Sequence, residues 1–160
     1  RYRVQLNNPS VLDVSRKGET AYVELGDPGV PHAVAEYKGD LWGDKDALLE
    51  TMRALRYDPA FPKGANVNFY TWLGEGHIRI LTYERGVEDF TYACGTGSGS
   101  TVLALTLLGQ VSGQDVGVHV RGGILRVTVD RDGNQIQNLW LTGPTNMVCE
   151  GEITDETLNL

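Results

Sequence analysis

Short runs of alternating apolar and polar residues, broken by glycine-rich turns, fill most of this chain. Tyr2, Val4 and Leu6 fall on one side of a strand expected over residues 1–6, which Asn7-Asn8-Pro9 then turns. Residues 11–15 and 20–25 read as a hairpin about Arg16-Lys17-Gly18, and residues 32–37 as a further strand. At Asp44 the period changes. Leu48, Leu49, Met52 and Leu55 recur at helical spacing, until Asp58-Pro59 ends the helix. Residues 66–73 and 77–83 predict a second hairpin, turning at Gly74-Glu75-Gly76. Residues 84–91 lead into a second helix over 95–108. Four more strands follow, at 116–121, 124–129, 135–141 and 146–150, with Asp132-Gly133 as a hairpin turn. Many strands with two helices make an α+β domain.

The second helix differs from the first. Its body, TVLALTLLG, is apolar nearly all round, so it must be buried on every side. A curved sheet wrapped around it is the economical packing. Its first turn carries Gly95, Gly97 and Gly99. Each glycine weakens a helix by up to about 1 kcal/mol relative to alanine, so some group is expected to approach that backbone closely.

A length of 160 residues suits one domain with a real core, taken here as residues 1–160. The net charge of -7 argues against nucleic acid as a partner, and no apolar run is long enough to span a membrane. Cys94 and Cys149, the two cysteines, lie far apart, which points to a reducing, cytoplasmic setting rather than a disulfide framework. They have no CxxC or His cluster around them, so no metal site is expected. The chain opens at Arg1 inside an expected strand, as a fragment or processed product would.

Cys94 stands at the mouth of the second helix. Unpaired N–H groups and a partial positive charge gather at a helix N-terminus. A thiol there is expected to have a lowered pKa. The amides of Gly95, Thr96 and Gly97 can cradle a carboxylate. A base beside such a cradle suits proton abstraction next to a carboxylate. GTGSGS is not a phosphate loop, because it lacks the Lys-Ser/Thr pair and the GxGxxG spacing.

Three stretches together, GVPHAV, FPKGANVNF and YERGVEDFTYACGTGSGS, resemble the C-terminal half of the diaminopimelate epimerase family, and RGGILRVTV and LTGPTNMVCEGEI fit its last strands. The resemblance implies a mixed sheet curled around a central helix, as one of two pseudo-symmetric halves. It implies two cysteines, one per half, acting as thiolate base and thiol acid on opposite faces of one α-carbon, with no cofactor. Carried over residue by residue, it makes Cys94 one catalytic thiol and Glu84 and His32 the groups that flank the thiols and the substrate amine. It implies that Gly95 and Thr96 hold the α-carboxylate, Arg85 the distal carboxylate, and Asn66 the distal end. His32 is expected to orient substrate or titrate near neutral pH.

The resemblance frays in places. Val30 stands where many members have asparagine, and Phe90 where they commonly have glutamate; both are expected to bear on specificity. The partner cysteine belongs to an N-terminal half not present in this sequence. The implied partners are therefore that half and an amino-acid substrate, diaminopimelate, with a homodimer facing two copies of Cys94 as the alternative. Two other readings compete: a related racemase for another amino acid, and a non-catalytic module that binds carboxylates. His77 and His119 read as strand residues without function, and Cys149 as a core residue.

Overall fold

The computed structural model describes residues 1–152. Its elements run β1 (Tyr2–Leu6), β2 (Pro9–Lys17), β3 (Thr20–Leu25), β4 (Val30–Glu36), α1 (Lys45–Arg56), β5 (Asn66–Gly74), β6 (His77–Glu84), β7 (Asp89–Thr91), α2 (Gly95–Leu107), β8 (Val116–Val120), β9 (Gly123–Asp132) and β10 (Gln135–Gly143). All the strands join one sheet, in the order β1-β10-β9-β8-β6-β5-β4-β3-β2, with β7 added to the end of β6. Among the described residues, only β4–β5 and β6–β8 are parallel pairs. Each needs a long crossover. The helix α1 supplies the first and α2 the second.

The two outermost strands, β1 and β2, are consecutive in the chain, separated only by Asn7 and Asn8. The sheet therefore curls until its edges lie side by side. Asn8 ties them: its side chain donates to the Gln137 carbonyl at 3.0 Å, and its own carbonyl accepts from Gly26 N–H at 3.0 Å.

Inside the curl lies α2, whose ten residues from Gly97 to Thr106 are all buried. Val102, Leu103 and Leu105 pack among Val23, Val34, Ile78, Val118, Val127 and Leu139 from strands all round the sheet. Each such side chain contributes about 1.5–3 kcal/mol by leaving water. The glycines of the first turn are explained by this wall. A Cβ on Gly99 would stand 2.7 Å from Leu6, and one on Gly97 would overlap the Asn68 side-chain carbonyl. Outside the curl, α1 covers one flank, with Leu48 and Met52 against Tyr22, Val67, Phe69, Leu81 and Tyr83.

Two expectations are corrected. Residues 146–150 form no strand, because Gly143 ends β10, Pro144 follows, and no described neighbour offers them a ladder. Cys149 is accordingly exposed rather than a core residue, as are Met147 and Val148. Residues 153–160 of the chain's end lie outside the described part.

Candidate active site

One end of the curled sheet gathers most of the chemistry. Cys94 is the N-cap of α2, with extended backbone (φ -132°, ψ 110°). Its sulfur takes the place of the usual capping oxygen and accepts from Gly97 N–H at 3.3 Å. The Thr96 hydroxyl lies 3.6 Å from the same sulfur. Gly95 and Thr96 present first-turn N–H groups, which have no partner inside a helix. A Cβ on Gly95 would meet Leu141 at 2.8 Å, so the barrel wall closes directly beside this cradle.

His32 comes up from β4 and is fully buried. Its Nε2 is 3.0 Å from Thr96 Oγ1, and its Nδ1 is 3.1 Å from the Asn68 side-chain nitrogen on β5. Asn68 Oδ1 in turn accepts from the Thr82 hydroxyl of β6 at 2.9 Å. A continuous chain of polar contacts thus runs Thr82–Asn68–His32–Thr96–Cys94. Asn68 and Thr82 escaped the sequence reading. Their signal was parity: Asn66 and Asn68 put two amides on one face of β5, while Val67 and Phe69 supply the other face to the α1 layer.

Asn66 is buried, and both ends of its amide are engaged. Nδ2 donates to the Pro31 carbonyl at 3.1 Å, and Oδ1 accepts the Arg85 N–H at 2.8 Å. It therefore anchors the backbone of Arg85. The Arg85 side chain is exposed, with Nη1 donating to the Lys63 carbonyl at 2.7 Å. Glu84, the last residue of β6, is half-buried, and its charge acts on the Cys94 sulfur.

The electrostatics correct two expectations. The Cys94 thiol is pushed above its ordinary pKa, chiefly by burial, with the Glu84 carboxylate adding to the rise. Hydrogen bonds from Thr96 and Gly97 pull the other way without prevailing. The helix mouth stabilises a thiolate, but desolvation outweighs it, so Cys94 rests as the thiol. His32 is driven down to about 3 by burial, with the Arg85 charge adding to the effect. It is a neutral imidazole and does not titrate near neutral pH.

The remaining residues lie elsewhere. Phe90 turns to the α1 side, edge-on to Tyr83 at 5.9 Å between centroids, with the Lys45 ammonium 5.3 Å over its ring. It packs with the cluster beneath α1. Val30 opens β4 and is exposed. His77 and His119 face each other across the β6–β8 joint, with Nδ1 and Nε2 3.0 Å apart. Among the described residues, no three His, Cys, Asp or Glu side chains converge as a metal site.

The model of the family described as "Diaminopimelate epimerase" matches residues 26–148, which span every site residue above. This chain belongs to the diaminopimelate epimerase family. Relatives of the same description agree. The diaminopimelate epimerase of Aquifex aeolicus is 35% identical over 163 residues, covering 99% of this chain and 56% of the relative. That of a Hydrogenobaculum strain is 40% identical over 130 residues, covering 80% and 45%. The chain thus spans about half the length of these curated relatives. A hydroxyproline epimerase from Agrobacterium vitis shares the fold, with a TM-score of 0.61 at 18% identity, over 87% of this chain and 48% of its own. The fold expected from the epimerase resemblance, a mixed sheet curled about a central helix, is the one observed.

Proposed function

We propose that this chain is the Cys94-bearing half of a diaminopimelate epimerase, which interconverts the LL and meso isomers by proton transfer at the α-carbon. The observation that carries the reading is Cys94 as sulfur N-cap beside the first-turn amides of α2, in a chain of the epimerase family. The Gly95 and Thr96 amides bind the α-carboxylate at the positive end of the helix. Arg85, whose backbone Asn66 holds, pairs with the distal carboxylate.

Proton transfer then follows from the state of the sulfur. A thiolate in the other half takes the α-proton from one face. Cys94, resting as the thiol, delivers its S–H proton to the opposite face and becomes the thiolate. Thr96 and Gly97 donate to that thiolate and so stabilise it. In the reverse direction the two sulfurs exchange roles. Neutral His32 supports Thr96 and is not itself the base.

The test measures formation of the meso isomer from LL-diaminopimelate in deuterated water. This chain alone is expected to give no inversion, since one thiol serves one face and exchange at that face retains configuration. Joined to an N-terminal half in one polypeptide, it is expected to invert the α-carbon with deuterium from solvent, and Cys94→Ala is expected to abolish the inversion. Inversion that survives Cys94→Ala, or a joined protein that turns over only other amino acids, overturns the reading.

A further inference from the structure

We propose that Asn68 is a positioning residue that holds His32 as its Nε2–H tautomer and thereby aims the Thr96 hydroxyl proton at the Cys94 sulfur. The orientation of the Asn68 amide is fixed by two carbonyls, which have only one role. Its nitrogen lies 3.2 Å from the Ala33 carbonyl and 3.5 Å from the Asn66 carbonyl, which can only accept. Its oxygen then accepts from the Thr82 hydroxyl. A flipped amide would set oxygen against two carbonyls.

With the amide so fixed, His32 Nδ1 faces a donor at 3.1 Å and must accept. The ring proton of the neutral imidazole then sits on Nε2, 3.0 Å from Thr96 Oγ1. Thr96 Oγ1 accepts that proton, so its own hydroxyl proton is free for the sulfur at 3.6 Å. The opposite tautomer would reverse every step. Nε2 would accept from Thr96, and the sulfur would lose a donor. Gly97 is part of the device, because a Cβ there would overlap Asn68 Oδ1 and lie 3.2 Å from the Cys94 sulfur. The charged groups acting on the relay are Arg85 near His32 and Glu84 near Cys94, and neither competes for Nδ1.

The value of Cys94 as an acid and base rests on the function proposed above; the tautomer does not. The test therefore uses no diaminopimelate. In the chain with ¹⁵N-labelled histidine, His32 is assigned by comparison with His32→Gln. Its Nδ1 is expected to carry no proton and its Nε2 to carry one, unchanged between pH 5 and 8. Asn68→Leu is expected to bring a population with protonated Nδ1. It is also expected to raise the midpoint of the pH-dependence of Cys94 alkylation by about one unit, the worth of one hydrogen bond to a charged group. Alkylation is read on the Cys94 peptide in a Cys149→Ser background. Thr96→Val is expected to raise the same midpoint without touching Asn68, which keeps the second step testable should Asn68→Leu fail to fold. A protonated Nδ1 in the unsubstituted chain overturns the proposal. So does an alkylation midpoint unmoved by Thr96→Val, or by a folded Asn68→Leu.

Discussion

Burial decides the charge state of both titratable side chains, Cys94 and His32, at this helix mouth, and it does so against the local field in one case and with it in the other. Cys94 has donors at its sulfur and still rests protonated. His32 has no carboxylate partner and stays neutral. The second state has a thermodynamic consequence. Above about pH 6.5 neither the folded nor the unfolded chain protonates residue 32. Between that value and about 3 the unfolded chain binds the proton and the folded chain does not. Stability is thus fully present above the unfolded pKa and falls as pH drops, by up to about 1.4 kcal/mol per unit. His119, also lowered, adds in the same direction, while the lowered carboxylates Asp13, Glu24, Asp46, Asp58 and Glu88 begin from ordinary values of 3.8 for Asp and 4.5 for Glu. Urea unfolding between pH 6.5 and 5 isolates the histidines. His32→Gln is expected to reduce the slope in that window, with His119 carrying the remainder. An unchanged slope would mean that His32 is protonated within the fold.

At the scale of elements, α2 sets the geometry of the site through what it lacks. Alanine would favour the helix over glycine by about 1 kcal/mol at each first-turn position. At Gly97 the added methyl meets the Asn68 carbonyl, which the Thr82 and Ala33 contacts hold in place. Gly97→Ala is expected to lose about 1–3 kcal/mol and to disturb Cys94 alkylation. At Gly95 the methyl meets only the end of the Leu141 side chain, which can rotate. Gly95→Ala is therefore expected to cost less, and the two unfolding midpoints decide between them. Deeper in the helix, Leu103→Ala removes a fully buried side chain and is expected to cost about 2–5 kcal/mol. Most of these elements were legible in the sequence, because a period of two or of 3.6 is a local property. The burial of α2 was legible for the same reason. Residues 146–150 carry a strand's pattern, yet a strand also needs a neighbour, and pattern alone cannot supply one. Within the site, Cys94 and its cradle followed from one helix end. The Asn68–His32–Thr96 contacts did not, since they join residues 36 and 64 positions apart. Likewise the raised thiol reflects the packed wall around the sulfur, which no local motif records.

For the molecule as a whole, the weak point of the sheet is the parallel β6–β8 joint, which pairs only His77–Arg79 with Gly117–His119. It divides β2–β6, backed by α1, from β8, β9, β10 and β1. A sheet joined so narrowly could open there, but α2 packs against strands of both parts. Peeling either part away would expose Val102, Leu103 and Leu105 on that side, at about 1.5–3 kcal/mol for each fully uncovered chain. The tie at Asn8 closes the other side of the curl. The two parts are therefore expected to unfold together, although the strands alone give little reason for it. The tryptophans report on them separately. Trp42 bonds to the Ile80 carbonyl and Trp72 lies on β5, whereas Trp140 lies on β10 and bonds to Asp130. In a Trp140→Phe chain fluorescence follows the first part, and in a Trp42→Phe/Trp72→Phe chain it follows the second. In each chain the fluorescence midpoint in urea is expected to coincide with that of far-ultraviolet dichroism, as one transition. If the two probes separate in either chain, α2 is bound to one part alone. The site would then rest on half of its wall, since His32, Asn68 and Thr82 come from the first part and Leu141 beside Gly95 from the second.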